Sequence, residues 1–552
     1  MGEFVKKSIL KIRNIIPEML LLVVTIGFFC PSSVFISNRD EFKIEYIDIL
    51  PLIMLVCLIA AIIISMIAII KMHYRIAIAL KAIMFATAVC VYVQFNFLNP
   101  NVEMFTGGEV AWYLFEKENF ISGLVWGIIF LVVLVLYNLN KNRINEIIKL
   151  IAYCGAAMQI LTIFLAVIVN DAMDYDLVLT DKGAFELSSK DNVIVFVLDT
   201  MDAQYTEDYI LSDEAYLNEF KDFTYFSDLV AGGASTVLGM PAVLTGKYMN
   251  DTSIDNFSFT KKANSETKWI GELTDNNYEV SIYTDYRYVD GCNQELINNC
   301  EKVNGYKISD MFGMFKCLYS VSGYLMEPQF MKQMQKTSTL NVSLFISPKG
   351  NKKINEYNTA NVAFYKSLTD EGISIIDDKN VFKIYHLDGA HPDYNHDEFM
   401  NECENEATPY KVVRGSYNIV IEYMKQLKKL GIYDNCTILI TADHGAINLG
   451  QNSTLMVKRS HSSQEELIYN DKPVGINNVL NTYVKAALGD DYGYGQNVFE
   501  VEGDVTERYH SAIRRLGSVC FPSDDYVNNR SYTKYKITGR SRDMQNVEIV
   551  YE

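Results

Sequence analysis

Basic residues are scarce in this chain. Its 552 residues include 49 Lys and Arg against 67 Asp and Glu, a formal net charge of −18. A nucleic-acid binder needs a basic footprint, so that class is excluded. No Cys-x-x-Cys pair is present, which removes the common zinc-finger patterns. Internal repeats and low-complexity tracts are also missing, so neither a repeat array nor a compositionally biased tail organises the chain.

Apolar sequence is plentiful before about residue 170. Five runs are long enough to cross a bilayer, which takes about 20 residues. They are Met19–Ile36, Ile49–Ile70, Ile76–Phe97, Phe120–Leu139 and Leu150–Val169. The third is the weakest, because Lys81 sits near its start. Five in succession argue against a buried globular core. Lys and Arg in the short connections set the orientation. Lys6, Lys7, Lys11, Arg13, Lys71, Arg75, Lys81, Lys141, Arg143 and Lys149 fall on one side, and only Arg39, Lys43 and Lys117 on the other. The expectation is a multi-pass cell-membrane protein with a cytoplasmic N-terminus and an extracytoplasmic C-terminal part. No small-residue cleavage site follows the first span, so it is not read as a removed signal.

The expected organisation is a transmembrane domain over 1–170, a polar linker over 171–191 and an extracytoplasmic domain over 192–552. Cys30, Cys57, Cys90 and Cys154 lie in the apolar spans as packing residues. Cys292, Cys300, Cys317, Cys403, Cys436 and Cys520 lie beyond them, where disulfides are permitted. Cys292–Cys300, across a short polar segment, is the favoured pair.

After residue 190 the pattern changes. "NVIVFVLDT" (192–200) is a β-branched run ending on a carboxylate, as for a strand buried on both faces. Similar runs recur at 278–285, 381–391 and 436–445. Between them "SYNIVIEYMKQLKKLG" (416–431) has helical periodicity and ends on a Gly cap. Alternating strands and helices predict an α/β domain with a mostly parallel sheet and helices on both faces. Polar residues gather at the strand ends: Asp199, then His386 and His391, then Asp443 and His444. Open α/β sheets bind ligands at those ends, and Asp with His is metal-ligand chemistry.

One further stretch, "GGASTVLGMPAVLTGKY" (232–248), sets a Ser-Thr pair before an apolar run. If Thr236 opens a helix through Leu244, its hydroxyl lies where the helix dipole and free N–H groups favour an anion. A divalent ion could then turn it into a nucleophile. The same residues equally suit an ordinary helix cap.

Four segments resemble the alkaline phosphatase superfamily, in its membrane-anchored sulfatase-like and phosphoethanolamine-transferase-like branches. "NVIVFVLDT" resembles the first metal-binding strand and "STVLGMPAVLTGKY" the nucleophile segment. "HLDGAHPDY" is similar to the His-x-x-Gly-Ser-His-Gly-Pro segment of the phosphoethanolamine transferases. "TADHG" resembles the metal-binding Asp-His-Gly. Lipoteichoic acid synthases share the plan of five spans and an exported catalytic domain. Two family registers, the Leu-Thr-Gly segment and the Thr-to-Pro241 spacing, point to Thr236 rather than Ser235. Thr cannot become formylglycine, so ordinary sulfatase chemistry is not implied. Asp199 stands where the transferases carry Glu.

The resemblance implies Asp199, Thr236, Asp443 and His444 around one divalent ion, Zn2+ or Mn2+. Thr236 would be the nucleophile, and His391 would contact phosphate or protonate the leaving group. His386, Lys247 and His461 are possible substrate-binding residues, and His396 is read as a surface or supporting residue. The implied partners are a phospholipid donor and an envelope glycan or lipid acceptor. The implied activity is transfer of a phospho-headgroup, with ester hydrolysis at the cell surface as the alternative. A non-catalytic envelope-assembly protein is the alternative of another class.

Overall fold

A computed structural model describes residues 2–69, 74–99, 112–139, 142–169, 177–251, 254–332, 334, 342–349, 354–376, 379–392, 394–403, 406–503, 506–513 and 532–550. Lys71, Lys141, Cys520 and residues 171–176 of the expected linker lie outside the described residues. The chain divides into two compact units. One comprises 1–176, 303–353 and 515–523, and the other 177–302, 354–514 and 524–552.

Five helices in the first unit are long and apolar enough to cross a membrane: Arg13–Ser37, Tyr46–Ile69, Arg75–Leu98, Glu116–Leu139 and Arg143–Val169. The charge in the third span is compensated. Lys81 Nζ lies 3.1 Å from Glu18 Oε1 of the first span. Tyr137 of the fourth donates its hydroxyl to the same oxygen at 2.9 Å. The first span widens into a π-helical turn at Val24–Phe29. Pro31 follows it and has no N–H to give the Gly27 carbonyl. The Tyr319 hydroxyl takes that acceptor instead, at 2.9 Å. Tyr319 belongs to the helix Met311–Met326. The expected boundaries therefore differ in two places. Residues 303–353 group with the membrane helices rather than with the domain expected over 192–552. The strands Leu177–Leu179 and Glu186–Ser188 fall inside the stretch read as linker.

The second unit is built on a seven-stranded sheet. Its strands are β1 (Asn192–Leu198), β2 (Thr224–Phe226), β3 (Tyr278–Tyr283), β4 (Asn380–Leu387), β5 (Cys436–Thr441), β6 (Leu455–Lys458) and β7 (Ile468–Asn470). The spatial order is β7-β2-β6-β5-β1-β4-β3. Strands β3, β4, β1 and β5 pair in parallel. Only β6 runs against its neighbours, antiparallel to both β5 and β2. Every residue of β1 is buried. Ile194, Phe196 and Leu198 pack into one hydrophobic cluster, and Val193, Val195 and Val197 into another. This is the two-residue alternation of a strand covered on both faces. Helix Pro409–Leu430 packs in the first cluster, capped by the Thr408 side chain at its start and by left-handed Gly431 at its end. Helix Ile476–Leu488 packs in the second. A smaller antiparallel sheet joins β8 (Glu507–Ile513), β9 (Tyr532–Thr538) and β10 (Val547–Val550).

The favoured disulfide is not formed. Cys292 and Cys300 are free thiols. Both side chains belong to the second hydrophobic cluster, and burial pushes the Cys292 thiol up to about 12 and Cys300 up to about 11. They serve as packing groups, like the buried Cys30 and Cys90 of the spans, whereas Cys154 is exposed.

Candidate metal and nucleophile site

Sheet register sets the site. Leu198 pairs with Leu387 and Val197 with Thr441, so β1, β4 and β5 end side by side. Asp199 and Asp443 follow just beyond β1 and β5, and His386 sits in the last turn of β4. All three are buried, and their ligand atoms lie within 4.8 Å of one another. His386 Nε2 is 3.6 Å from Asp199 Oδ2. His444 Nε2 is 3.5 Å from Asp199 Oδ1 and 3.6 Å from Asp443 Oδ2. His386, read from sequence as a substrate contact, thus stands among the ligand-type residues.

Helix Thr236–Thr245 brings the hydroxyl. Ser235 occupies its N-cap position, but the Ser235 side chain makes no capping bond and its Oγ is buried without a partner. Thr236 Oγ1 donates to Asp199 Oδ2 at 3.1 Å. Neither hydroxyl caps the helix, so the simple cap reading does not describe this segment. Close backbone approach makes the arrangement possible. A Cβ on Gly239 would meet the Asp443 carbonyl oxygen at 2.4 Å. A Cβ on Gly389, at φ +56°, would meet the Asp199 carbonyl oxygen at the same distance.

Two residues that the sequence did not single out organise the loops. Thr200 holds φ +58°, a costly conformation for a β-branched residue. There its N–H reaches Asp443 Oδ1 at 3.2 Å and its hydroxyl reaches Asp199 Oδ1 at 2.7 Å. Asp202 is buried and accepts from the N–H groups of Gln204, Ala446 and Ile447 at 2.9, 3.0 and 3.0 Å. It therefore ties the chain after Asp199 to the chain after His444. The spacing Asp199-x-x-Asp202 was the available signal. His510, on β8, is also buried. Its Nδ1 faces the Ala231 carbonyl at 2.8 Å and its Nε2 the Leu449 carbonyl at 3.0 Å.

The other candidates separate. His391 is half-buried, its N–H on the Asp388 carbonyl at 2.9 Å, and its charge acts on Asp199. His396 is buried and meets Asn361 through Nε2 at 3.0 Å. Asn361 in turn holds both the N–H and the carbonyl of Gly389. His396 is thus a buried support rather than a surface residue. Lys247 lies past the far end of the helix Thr236–Thr245, a ten-residue element about 15 Å long. There it pairs with Glu266 at 2.5 Å. His461 follows β6, whose Lys458 lies opposite Ile438. Its N–H bonds the Asp434 carbonyl at 2.7 Å, ahead of β5, so it belongs to the opposite end of the strands from Asp443. The structure does not bring Lys247 or His461 to the site.

The charges interlock. Burial raises the Asp199 carboxyl, but the His386 ring 3.6 Å away and the charges of His391 and His444 outweigh it, leaving the group well below the usual carboxylate range. Asp443 shifts upward through burial and the neighbouring Asp199 charge. Two carboxylates at one site divide in this way. Burial opposes protonation of His386 and His444, yet their carboxylate neighbours raise both. His386 Nε2 and Asp443 Oδ2 are buried without a hydrogen-bond partner. Buried unpartnered ligand atoms facing a common point fit a divalent cation.

Fold and site together define a membrane-associated α/β enzyme with acid and imidazole groups at its strand ends and a hydroxyl at a helix N-terminus. Residues 193–514, more than half of the chain, match the family model for type I phosphodiesterase / nucleotide pyrophosphatase. The chain belongs to that family, within the alkaline phosphatase superfamily, and its chemistry is at phosphoesters, by transfer or hydrolysis. No curated protein matches the sequence. Similar solved structures include an alkaline phosphatase superfamily protein from Vibrio parahaemolyticus, at 10% identity and TM-score 0.39, covering 68% of this chain and 85% of that one. The lipoteichoic acid synthase LtaP from Listeria monocytogenes is similar at 11% identity and TM-score 0.36, covering 60% and 80%. The phosphonate monoester hydrolase SpPMH from Silicibacter pomeroyi is similar at 11% identity and TM-score 0.36, covering 65% and 88%.

Proposed function

We propose that the protein transfers a phospho-headgroup, of phosphoethanolamine or phosphoglycerol type, from a phospholipid to a cell-envelope glycan or lipid. The observation that carries this reading is the Thr236 hydroxyl at 3.1 Å from Asp199, on a helix N-terminus beside buried acid and imidazole groups. In this reading the N-terminus is cytoplasmic and the α/β unit extracytoplasmic, as the Lys and Arg distribution supports.

Asp199, Asp443, His444 and the Thr236 oxygen would hold a divalent ion, Zn2+ or Mn2+, with His386 as a further donor. When bound, the ion supplies positive charge that favours the Thr236 alkoxide and offsets phosphate charge. Asp199 orients the Thr236 hydroxyl, whose proton passes to water. Thr236 Oγ bonds to phosphorus as the bond from phosphorus to the diacylglycerol oxygen breaks. His391 gives that oxygen a proton, leaving diacylglycerol and phosphothreonine. His391 then takes the proton of the acceptor hydroxyl. The acceptor oxygen bonds to phosphorus, the bond to Thr236 Oγ breaks, and Thr236 recovers its proton from water. The N–H groups at the helix start face the anion in both steps.

The test supplies phospholipid labelled in its headgroup to the full chain in membranes together with envelope glycan. Label in glycan or lipid acceptor supports transfer. Label only in free headgroup phosphate supports hydrolysis, with water in place of the acceptor.

A further inference from the structure

Between strand Cys300–Lys302 and Ile354 the chain leaves the α/β unit and joins the unit of membrane helices. This excursion contains a two-stranded antiparallel ladder, Tyr306–Ile308 with Ile346–Pro348, which brackets the helix Met311–Met326. Asp310 starts the helix, accepting from the N–H groups of Phe312 and Gly313 at 3.0 Å each. A shorter helix, Gln329–Lys332, follows.

Its attachments all lie toward one end of the bundle, where the first and third spans finish and the second and fourth begin. Lys349 pairs with Asp48, at the start of the second span, at 3.0 Å. Asn99, just past the third span, donates to the Leu325 carbonyl at 2.9 Å. The Gln329 N–H reaches Ser122 Oγ, in the first turns of the fourth span, at 3.1 Å. Tyr319 reaches deeper, to Gly27. Gly27 lies about 15 Å along the axis from the end of the first span at Ser37. Met326 is buried with Phe29, Cys30, Val91 and Ile163 of three different spans. The helix is thus held below the level at which the spans end.

The start of this helix and the segment after it expose large apolar side chains, while Lys316 and Ser320 are the exposed polar residues of the helix. Phe312 is 75% exposed, Met334 73% and Phe330 50%. Met311 and Met331 are exposed beside them. This surface continues the exposed apolar belt of the spans, which includes Phe97 and Phe120 at the same end. Lys316 is the only charged residue of the helix Met311–Met326, and a lysine stem can carry its ammonium to the headgroup level.

We propose that residues 311–332 and Met334 are embedded in the bilayer, with Phe312, Phe330 and Met334 against lipid acyl chains at their junction with the headgroups. The occupant of this apolar surface is membrane lipid, because the helix is fixed among spans whose own exposed faces need lipid. The α/β sequence is then joined to a membrane-seated unit at both ends of this excursion as well as after the fifth span. The proposal is independent of which group the enzyme transfers.

The test places the full chain in bilayers of phosphatidylethanolamine and phosphatidylglycerol, with or without bromine on the acyl chains. Phe312→Trp and Met334→Trp are compared with the parent, whose own tryptophans set the background. Tyr492→Trp, on the α/β unit, is the control. Emission added at positions 312 and 334 is expected to fall at least twofold with brominated chains, while that added at 492 is unchanged. Emission at 312 and 334 that ignores bromine would overturn the proposal, whether aqueous iodide quenches it, as for a surface in water, or not, as for one covered by another protein or a second copy. Two reporter positions guard against misfolding of one variant.

Discussion

Thr236 and Asp199 meet across 3.1 Å, although Thr236 opens a helix and Asp199 closes a strand. The contact joins a hydroxyl at that helix start to the carboxylate lying between His386 and His444. Ser235, one residue earlier, points into buried space without a partner.

Replacing Thr236 by Ala should therefore abolish turnover while leaving the fold intact, because no capping bond is lost. Ser235→Ala should keep most activity. Intact mass after brief exposure to donor phospholipid should show a phosphorus-containing adduct on residue 236 of the parent. An adduct on residue 235 would sink the assignment.

Metal content should follow the ligand atoms. Asp443→Asn and His386→Ala should each lower the divalent metal measured in the purified protein, with activity falling by orders of magnitude. The roughly tenfold loss that 1.4 kcal/mol represents is too small for a lost ligand. His461→Ala and Lys247→Ala should change neither metal content nor turnover appreciably. Full metal occupancy in the Asp443 variant would show that the ion is held elsewhere.

Gly239→Ala adds one methyl, yet its Cβ falls 2.4 Å from the Asp443 carbonyl oxygen. Neither backbone can yield without moving the other. Expected is a soluble protein with strongly reduced turnover and weakened metal retention. Parent-like activity would show that the helix can slide away from β5 without cost.

The Glu18–Lys81–Tyr137 cluster predicts a stability effect far from the chemistry. Removing one member of a buried pair leaves an uncompensated charge, at about 3 to 5 kcal/mol. Glu18→Ala should lower the unfolding temperature in detergent markedly. Glu18→Gln combined with Lys81→Met should recover much of the loss. Equal losses in the single and double variants would show that the pair does not couple the spans.

His510 gives a pH dependence. Burial outweighs its two carbonyl neighbours and lowers its pKa from 6.5 to about 4. The unfolded chain then binds the proton more readily than the fold does. Stability from this group is present above about pH 6.5 and is lost as pH falls toward about 4. Chemical denaturation should show a shallower loss between these values in His510→Gln than in the parent. Identical slopes would mean that this ring carries none of the acid sensitivity.

The strands and their closing acids were readable because continuous β-branched runs ending in Asp have few other uses. Asp199 and Asp443 declared themselves in that way. His386 was visible, but its place among the ligand atoms depended on the pairing of Leu387 with Leu198, which no local pattern reveals. Thr200, Asp202 and His510 were hidden because each acts through main-chain groups of distant segments. Lys247 and His461 were misleading for the opposite reason. Each follows a recognisable motif, while the end of its own element carries it away. The membrane-seated excursion was missed because its 16-residue helix is shorter than a span and has the pattern of an ordinary core helix.

The central position of β1 also governs when the enzyme can work. Thr200 and Asp443 touch although they are 243 positions apart, and β1 pairs directly only with β4 and β5, both much later in the chain. During synthesis the first acid of the site is made long before its neighbours, and such distant pairings form slowly. A ribosome-bound chain truncated before β5 therefore carries Asp199, Thr236 and His386 but lacks Asp443 and His444, and catalytic competence arrives only after β5 and the two residues beyond Ala442 have been made.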